Sequence, residues 1–130
     1  MHRTCFAHGI EYALREMHEL SIAMSIVDTA LEESRQRGVQ VSAVHLRLGA
    51  LSGVVREALL FSYEMACQDT ALQGSRLIVE EVPVTVFCPQ CHERRALPSI
   101  QSFACTECGA PTRDILQGKE LEVFALEVEE

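Results

Sequence analysis

Two places in this 130-residue sequence bring together groups that can do chemistry. In "FCPQCHERRALPSIQSFACTECGAP", Cys88 and Cys91 form one Cys-x-x-Cys pair and Cys105 and Cys108 a second, thirteen residues further on. Each pair can turn tightly enough for its two sulfurs to converge, and two such turns complete a tetrahedron of thiolates suited to zinc. The cysteines alone leave a rubredoxin-like iron open as the competitor. With four protein ligands no position remains for water or substrate, so the metal is expected to be structural. The stretch has only Phe87, Leu97, Ile100 and Phe103 as large apolar groups, too few to fold without a staple. His92, next to Cys91, is either an exchangeable ligand or a surface histidine.

The second place is "REMHELSIAM", where Met17, His18 and Glu19 precede an apolar run. At a free chain end, Met-His sets an amine beside an imidazole, which is a chelator. Within the full chain the nitrogen of Met17 is an amide. The remaining candidates have plainer readings. Cys67 follows a helical apolar pattern and reads as a small buried hydrophobe, His45 sits on the outward face of a strand pattern, and Cys5 supports no assignment.

These groups need elements to hold them. From Leu20 to Arg37, apolar residues recur at Leu20, Met24, Val27 and Leu31, with Ala23 and Ala30 widening the stripe, and Gly38 follows as a C-terminal cap. "VSAVHLRLG" alternates as a half-buried strand, with Val44, Leu46 and Leu48 on one face and Ala43, His45 and Arg47 on the other. "VVREALLFSYEMACQD" returns to helical spacing through Ala58, Phe61 and Met65, with Leu59, Leu60, Tyr63 and Cys67 beside them. "RLIVEEVPVTVFC" is β-rich and runs into the first cysteine pair, with Pro83 confining part of it to an edge or a kink. "ELEVFALEVEE" closes the chain as a strand in which Leu121, Val123, Ala125 and Glu127 oppose Glu122, Phe124, Leu126 and Val128. The fold class is therefore α+β: two helices packed on a small mixed β-sheet, with a four-cysteine zinc-ribbon subdomain inserted before the last strand.

Composition excludes several functions. Eleven Lys and Arg against nineteen Asp and Glu give a net charge of -8, the wrong sign for a general nucleic-acid or anionic-membrane surface. Near the cysteines, Arg94, Arg95 and Arg113 face Glu93, Glu107 and the -2 of a zinc tetrathiolate, so no basic footprint survives there either. No apolar run approaches the roughly 20 residues a bilayer needs, and the first sixteen residues contain no signal-peptide core. Cys-x-x-Cys pairs of this kind belong to a reducing compartment, and a cytoplasmic protein is expected.

Taken in order, Met-His-Glu-Leu-Ser opening into a helix, "VHLRLGALSGV", "LIVEEVPVTVFCPQC", "FACTECGAP" and a closing β segment resemble the HypA/HybF family of hydrogenase maturation factors over Met17 to Glu130. The resemblance implies a non-enzymatic nickel metallochaperone: an α/β domain (17–86 and 114–130) that holds Ni(II) at its N terminus, and a zinc domain (87–113). It implies as partners the nickel-handling GTPase of the pathway and the precursor of the [NiFe]-hydrogenase large subunit; some members also serve urease. His18 is the implied nickel ligand, with Glu19 adding an oxygen or a backbone nitrogen, and Cys88, Cys91, Cys105 and Cys108 hold zinc. A monomer or homodimer that binds neither nucleic acid nor membrane is expected. The alternative is a zinc-ribbon adaptor that binds protein or nucleic acid and transfers no metal.

Residues 1–16 depart from the family. Translation starts at Met17, or the extension is removed, or Met1-His2 chelates instead, with Arg3 where the family has Glu. The expectation is the first.

Overall fold

A computed structural model describes residues 2–5 and 19–129. The elements in chain order are β1 (His2–Cys5), α1 (Glu19–Arg37), β2 (Gln40–Gly49), α2 (Arg56–Cys67), β3 (Arg76–Val82), β4 (Thr85–Cys88), β5 (Glu93–Ala96), β6 (Asp114–Gln117) and β7 (Leu121–Glu129). α1 ends at Gly38, whose φ of 62° is the left-handed conformation that a helix C-cap requires. The buried face of α1 is Ile22, Ala23, Ile26, Val27 and Ala30, which corrects the expected stripe. Leu20 and Met24 are 42% and 53% exposed, so the face is turned by roughly 100°, one residue's rotation. The reason lies in Ala23 and Ala30, which form the centre of the contact rather than its margin, because small side chains let the helix approach its neighbours.

The same correction applies to α2. Leu59, Ser62, Tyr63 and Cys67 are buried, whereas Phe61 and Met65 project outward. Polar groups on the inner face had hidden it, and they are accommodated by pairing: the Tyr63 hydroxyl and Ser75 Oγ are hydrogen-bonded at 2.7 Å. Cys67 is 2% exposed, with its Sγ 3.8 Å from the same Ser75 Oγ.

Both helices pack on one side of a mixed sheet of order β1-β7-β2-β3. β2 and β3 run parallel, which requires a crossover, and α2 provides it. β2 turns Val44, Leu46 and Leu48 into the core. β7 departs from strict alternation: Leu121, Val123, Leu126 and Val128 all face the core. The register shifts between His45 and Leu46, whose partners are Ala125 and Val123, so Phe124 is the extra residue of a bulge that resets the phase. On the outer face Arg47 stacks over Phe124 at 4.1 Å and pairs with Glu122 at 3.1 Å. His45, expected at the surface, is on that face but largely covered, edge-on to Phe124, with Nε2 3.3 Å from Glu127. β1 pairs antiparallel with β7. Its sequence shows no period because an edge strand docks through its backbone.

The chain leaves this sheet at Pro83 and enters a second, of order β5-β4-β6, antiparallel throughout. Thus the single β-rich stretch 76–88 is two strands in two sheets, and β6, expected with the larger unit, pairs with β4. The return crosses Gly49 so closely that a Cβ there would collide with the Gly118 carbonyl oxygen. The amide of Leu51 donates to that oxygen at 2.6 Å. No helix among the described residues is long and apolar enough to cross a membrane.

Candidate metal centre

The first cysteine knuckle grows out of β4. Cys88 is its last residue, fully buried. The chain then turns so that the Cys91 amide points at Cys88 Sγ (3.4 Å) and the His92 amide donates to the Cys88 carbonyl (2.8 Å). The second knuckle repeats the design: the Glu107 amide points at Cys105 Sγ (3.4 Å) and the Gly109 amide donates to the Cys105 carbonyl (2.9 Å). Each turn closes four residues after its first cysteine in the left-handed region, at His92 (φ 55°) and Gly109 (φ 76°). His92 therefore occupies the place a glycine fills in the other knuckle. It is exposed and stands outside the cluster of ligand atoms.

The two knuckles bring the four sulfurs within 4.8 Å of one another. Cys88 and Cys108 are 3.6 Å apart, Cys91 and Cys105 3.9 Å. A tetrahedron with metal–sulfur bonds of about 2.3 Å has edges of about 3.8 Å, so the set fits zinc without rearrangement. None of the four is in a disulfide. Amide hydrogen bonds from Cys108, and next from Glu107, hold the Cys105 thiol down at about 6. The Cys91 thiol is pushed up to about 12, chiefly by its hydrogen bond with Cys108. The amides of the second knuckle thus favour the thiolate of Cys105, the form that binds a metal, while Cys91 favours its thiol.

At the other candidate site, His18 and Met17 lie outside the described residues. Glu19 opens α1, and its Oε2 accepts a hydrogen bond from the Val55 amide at 3.2 Å. Val55 is the N-cap of α2 and provides no side-chain cap of its own. The sequence reading missed this link between the two helix starts. Its signal was the absence of Ser, Thr, Asp or Asn immediately before α2, which leaves amides that need an acceptor from elsewhere.

Residues 17–128 match the family described as hydrogenase/urease nickel incorporation, metallochaperone, hypA. A Roseiflexus protein named hydrogenase maturation factor HypA is 52% identical over 115 residues, 88% of this chain and 94% of its own. A protein of that name from Chloroflexus aggregans is 51% identical over 112 residues, covering 85% of this chain and 98% of its own. The solution structure of the Ni metallochaperone HypA from Helicobacter pylori shares the fold, with a TM-score of 0.59 at 19% identity over 86% of this chain and 97% of that one.

Proposed function

Since this chain belongs to the HypA family of hydrogenase/urease nickel-incorporation metallochaperones, which are carriers and not enzymes, we propose that it binds Ni(II) at Met17-His18-Glu19 as cargo and zinc at its four clustered cysteines. What carries the nickel assignment is the extent of the match. It begins at Met17, and a relative matched over 98% of its own length leaves almost nothing to pair with residues 1–16. On this reading the working protein begins at Met17, and Met-His-Glu stands at its chain end. The Met17 amine, the His18 backbone nitrogen and the His18 imidazole close a five-membered and a six-membered ring on one ion, and in-plane nitrogen donors suit Ni(II). Cu(II) binds such donors more tightly still, so delivery of nickel rests on availability and on the receiving protein.

Glu19 has two ways to complete the set. Its backbone nitrogen leaves the carboxylate on the Val55 amide, whereas a carboxylate donor has to release the start of α2. The four thiols hold zinc through a closed set of protein ligands, so the metal contributes folding energy and no reaction. Cys91 must lose its proton to coordinate, whereas the amides around Cys105 already favour its thiolate.

The receiving partners are the nickel-handling GTPase and the [NiFe]-hydrogenase large-subunit precursor, with urease maturation proteins as further recipients. A cytoplasmic location belongs to the same reading, on the strength of four reduced thiols set up for a metal. Nickel titration of a protein beginning at Met17, beside its His18→Ala variant, tests the carrier reading. One Ni(II) per chain, with affinity falling steeply in the variant, is expected. Equal binding by both removes His18 from the site and leaves the zinc-ribbon adaptor as the better account.

A further inference from the structure

Four large apolar side chains stand on the helix pair away from its core: Leu20 and Met24 on α1, Phe61 and Met65 on α2. Each pair is spaced by four residues, about one helical turn. Phe61 is 66% exposed, the most of any large apolar residue among those described. Apolar residues scattered singly over a surface are ordinary, whereas several gathered on one surface mark a contact.

The topology sets the two pairs side by side. α1 leads through Gly38 into β2, and α2 is the crossover between the parallel strands β2 and β3, so both helices run opposite to β2 and parallel to each other. The hydrogen bond from the Val55 amide to Glu19 Oε2 holds their first turns level. Met24 and Phe61 then stand at nearly the same height, with Leu20 one turn above and Met65 one turn below. α2 turns Leu60, Glu64 and Cys67 towards a cleft shared with Arg76 and Leu77 of β3, so its other flank, Ala58, Ser62 and Met65, faces α1. Parallel helices wind in the same sense, and α1 therefore meets that flank with Val27 and Leu31, leaving Leu20 and Met24 just outside them. The four exposed side chains line the outer groove between the helices.

Charge decides what fits this groove. Asp28 stands one turn after Met24, and Glu57 and Glu64 flank Phe61. The carboxylates of Asp28 and Glu64 form no ion pair or hydrogen bond among the described residues. Arg35, further along α1, is already held by Glu32 at 2.6 Å. The floor is thus apolar and the rim acidic. A second copy of this chain would bring the same rim and set carboxylates against carboxylates, whereas Lys and Arg complement it. A groove between two helices accepts the ridge of a third.

We propose that this groove takes an amphipathic helix of another protein, one whose stripe of large apolar side chains is flanked by Lys and Arg. The groove begins at Leu20, next to Glu19, so a helix seated there brings its protein to the nickel donors. That the partner takes part in nickel transfer rests on the carrier reading above; the docking itself does not.

The test uses the full chain and a fluorescein-labelled peptide of about 18 residues, with Leu along one helical face and Lys on both flanks, and reads anisotropy without nickel. Wild type should bind it at micromolar concentration and should not bind the same peptide with Glu in place of Lys. Met24→Gln together with Phe61→Gln should weaken binding about tenfold, and Leu116→Gln, an apolar-to-polar change on the small sheet, should leave it unchanged. Asp28→Asn with Glu64→Gln should weaken it several-fold, and Asp114→Asn with Glu80→Gln, the same charge change elsewhere, much less. Three results overturn the proposal: no binding by wild type, full binding by the Met24 and Phe61 variant, or equal losses from the two charge variants, since overall charge then suffices. A wild-type dimer that Phe61→Gln dissociates in sedimentation makes a second copy the occupant and overturns it too. Nickel binding that survives His18→Ala overturns the carrier reading alone and leaves these peptide results as they stand.

Discussion

The two sheets of this protein are held by different forces. Among the described residues, eighteen buried ones from α1, α2, β2, β3, β7 and the α2–β3 loop form one continuous core in the larger part, including Ile22, Ile26, Leu46 and Leu59 with no exposed surface. In the smaller part the corresponding apolar cluster is Val84, Val86 and Leu97, beside a separate cluster of Cys88, Cys105 and Ala110. Burial stabilises by about 25 cal/mol per Å² of apolar surface, so the first sheet can stand on side-chain packing while the second cannot. Position in the sequence does not produce this difference, since the chain passes from one sheet to the other and back. What differs is which residues arrive: branched aliphatics in one case, thiols in the other.

Cysteine replacement breaks the comparison most severely. Cys88→Ala or Cys105→Ala should abolish stoichiometric zinc and melt β4, β5 and β6, because a structural zinc supplies on the order of 10 kcal/mol in a small domain. Amide NMR signals from β2, β3 and β7 should persist; their collapse with the others would show that the larger sheet depends on the metal too. The converse substitution, Leu46→Ala, should cost about 2–5 kcal/mol in the larger core and leave zinc content at wild type, as measured by denaturant melts beside metal analysis.

Acid should separate the two parts more gently. Cys105 is held at about 6 in the folded, metal-free chain against an ordinary thiol value of 9.0. A group whose value is lowered by folding contributes in full above its unfolded value and loses that contribution as pH falls towards its folded one. The small sheet should therefore weaken from pH 9 to pH 6. Zinc affinity falls in the same direction, since protons compete for the thiolates. Chelator competition across this window, read beside circular dichroism of the whole chain, should show zinc leaving before the helices melt.

The smallest expected effect is at His92. Its φ of 55° costs a residue with a Cβ about 1–2 kcal/mol, and the second knuckle uses Gly109 at the same place. His92→Gly should retain zinc fully and change stability by less than about 1 kcal/mol. Loss of zinc in that variant would make His92 a ligand after all.

Much of this arrangement was readable before the fold. The four cysteines declare themselves because metal coordination demands particular atoms at particular spacings, and Gly38 marks the end of α1 because only a residue without Cβ takes that turn easily. The helix faces were less legible. Apolar residues occur all round α1 and α2, so periodicity admits more than one stripe, and the choice between Met24 and Ile26 is made by what the helix packs against. The bulge at Phe124 and the docking of β1 are tertiary events with no local signature. Arg95 was hidden for a related reason: a charge tally treats it as equal to Arg94, and only strand pairing half-buries one beside Glu93 and leaves the other in solvent. The Glu19 link to Val55 likewise depends on two helix starts meeting across thirty-six residues.

The most direct test of two metals in two separately held sites is elemental analysis of a protein beginning at Met17 with its terminal amine acetylated, after exposure to Ni(II) and removal of the excess. Acetylation takes away one nickel donor and leaves every thiol untouched. The account predicts one zinc per chain and almost no nickel, against one of each in the unacetylated protein. Nickel retained in full would contradict the terminal site, and zinc lost together with nickel would contradict the independence of the two regions.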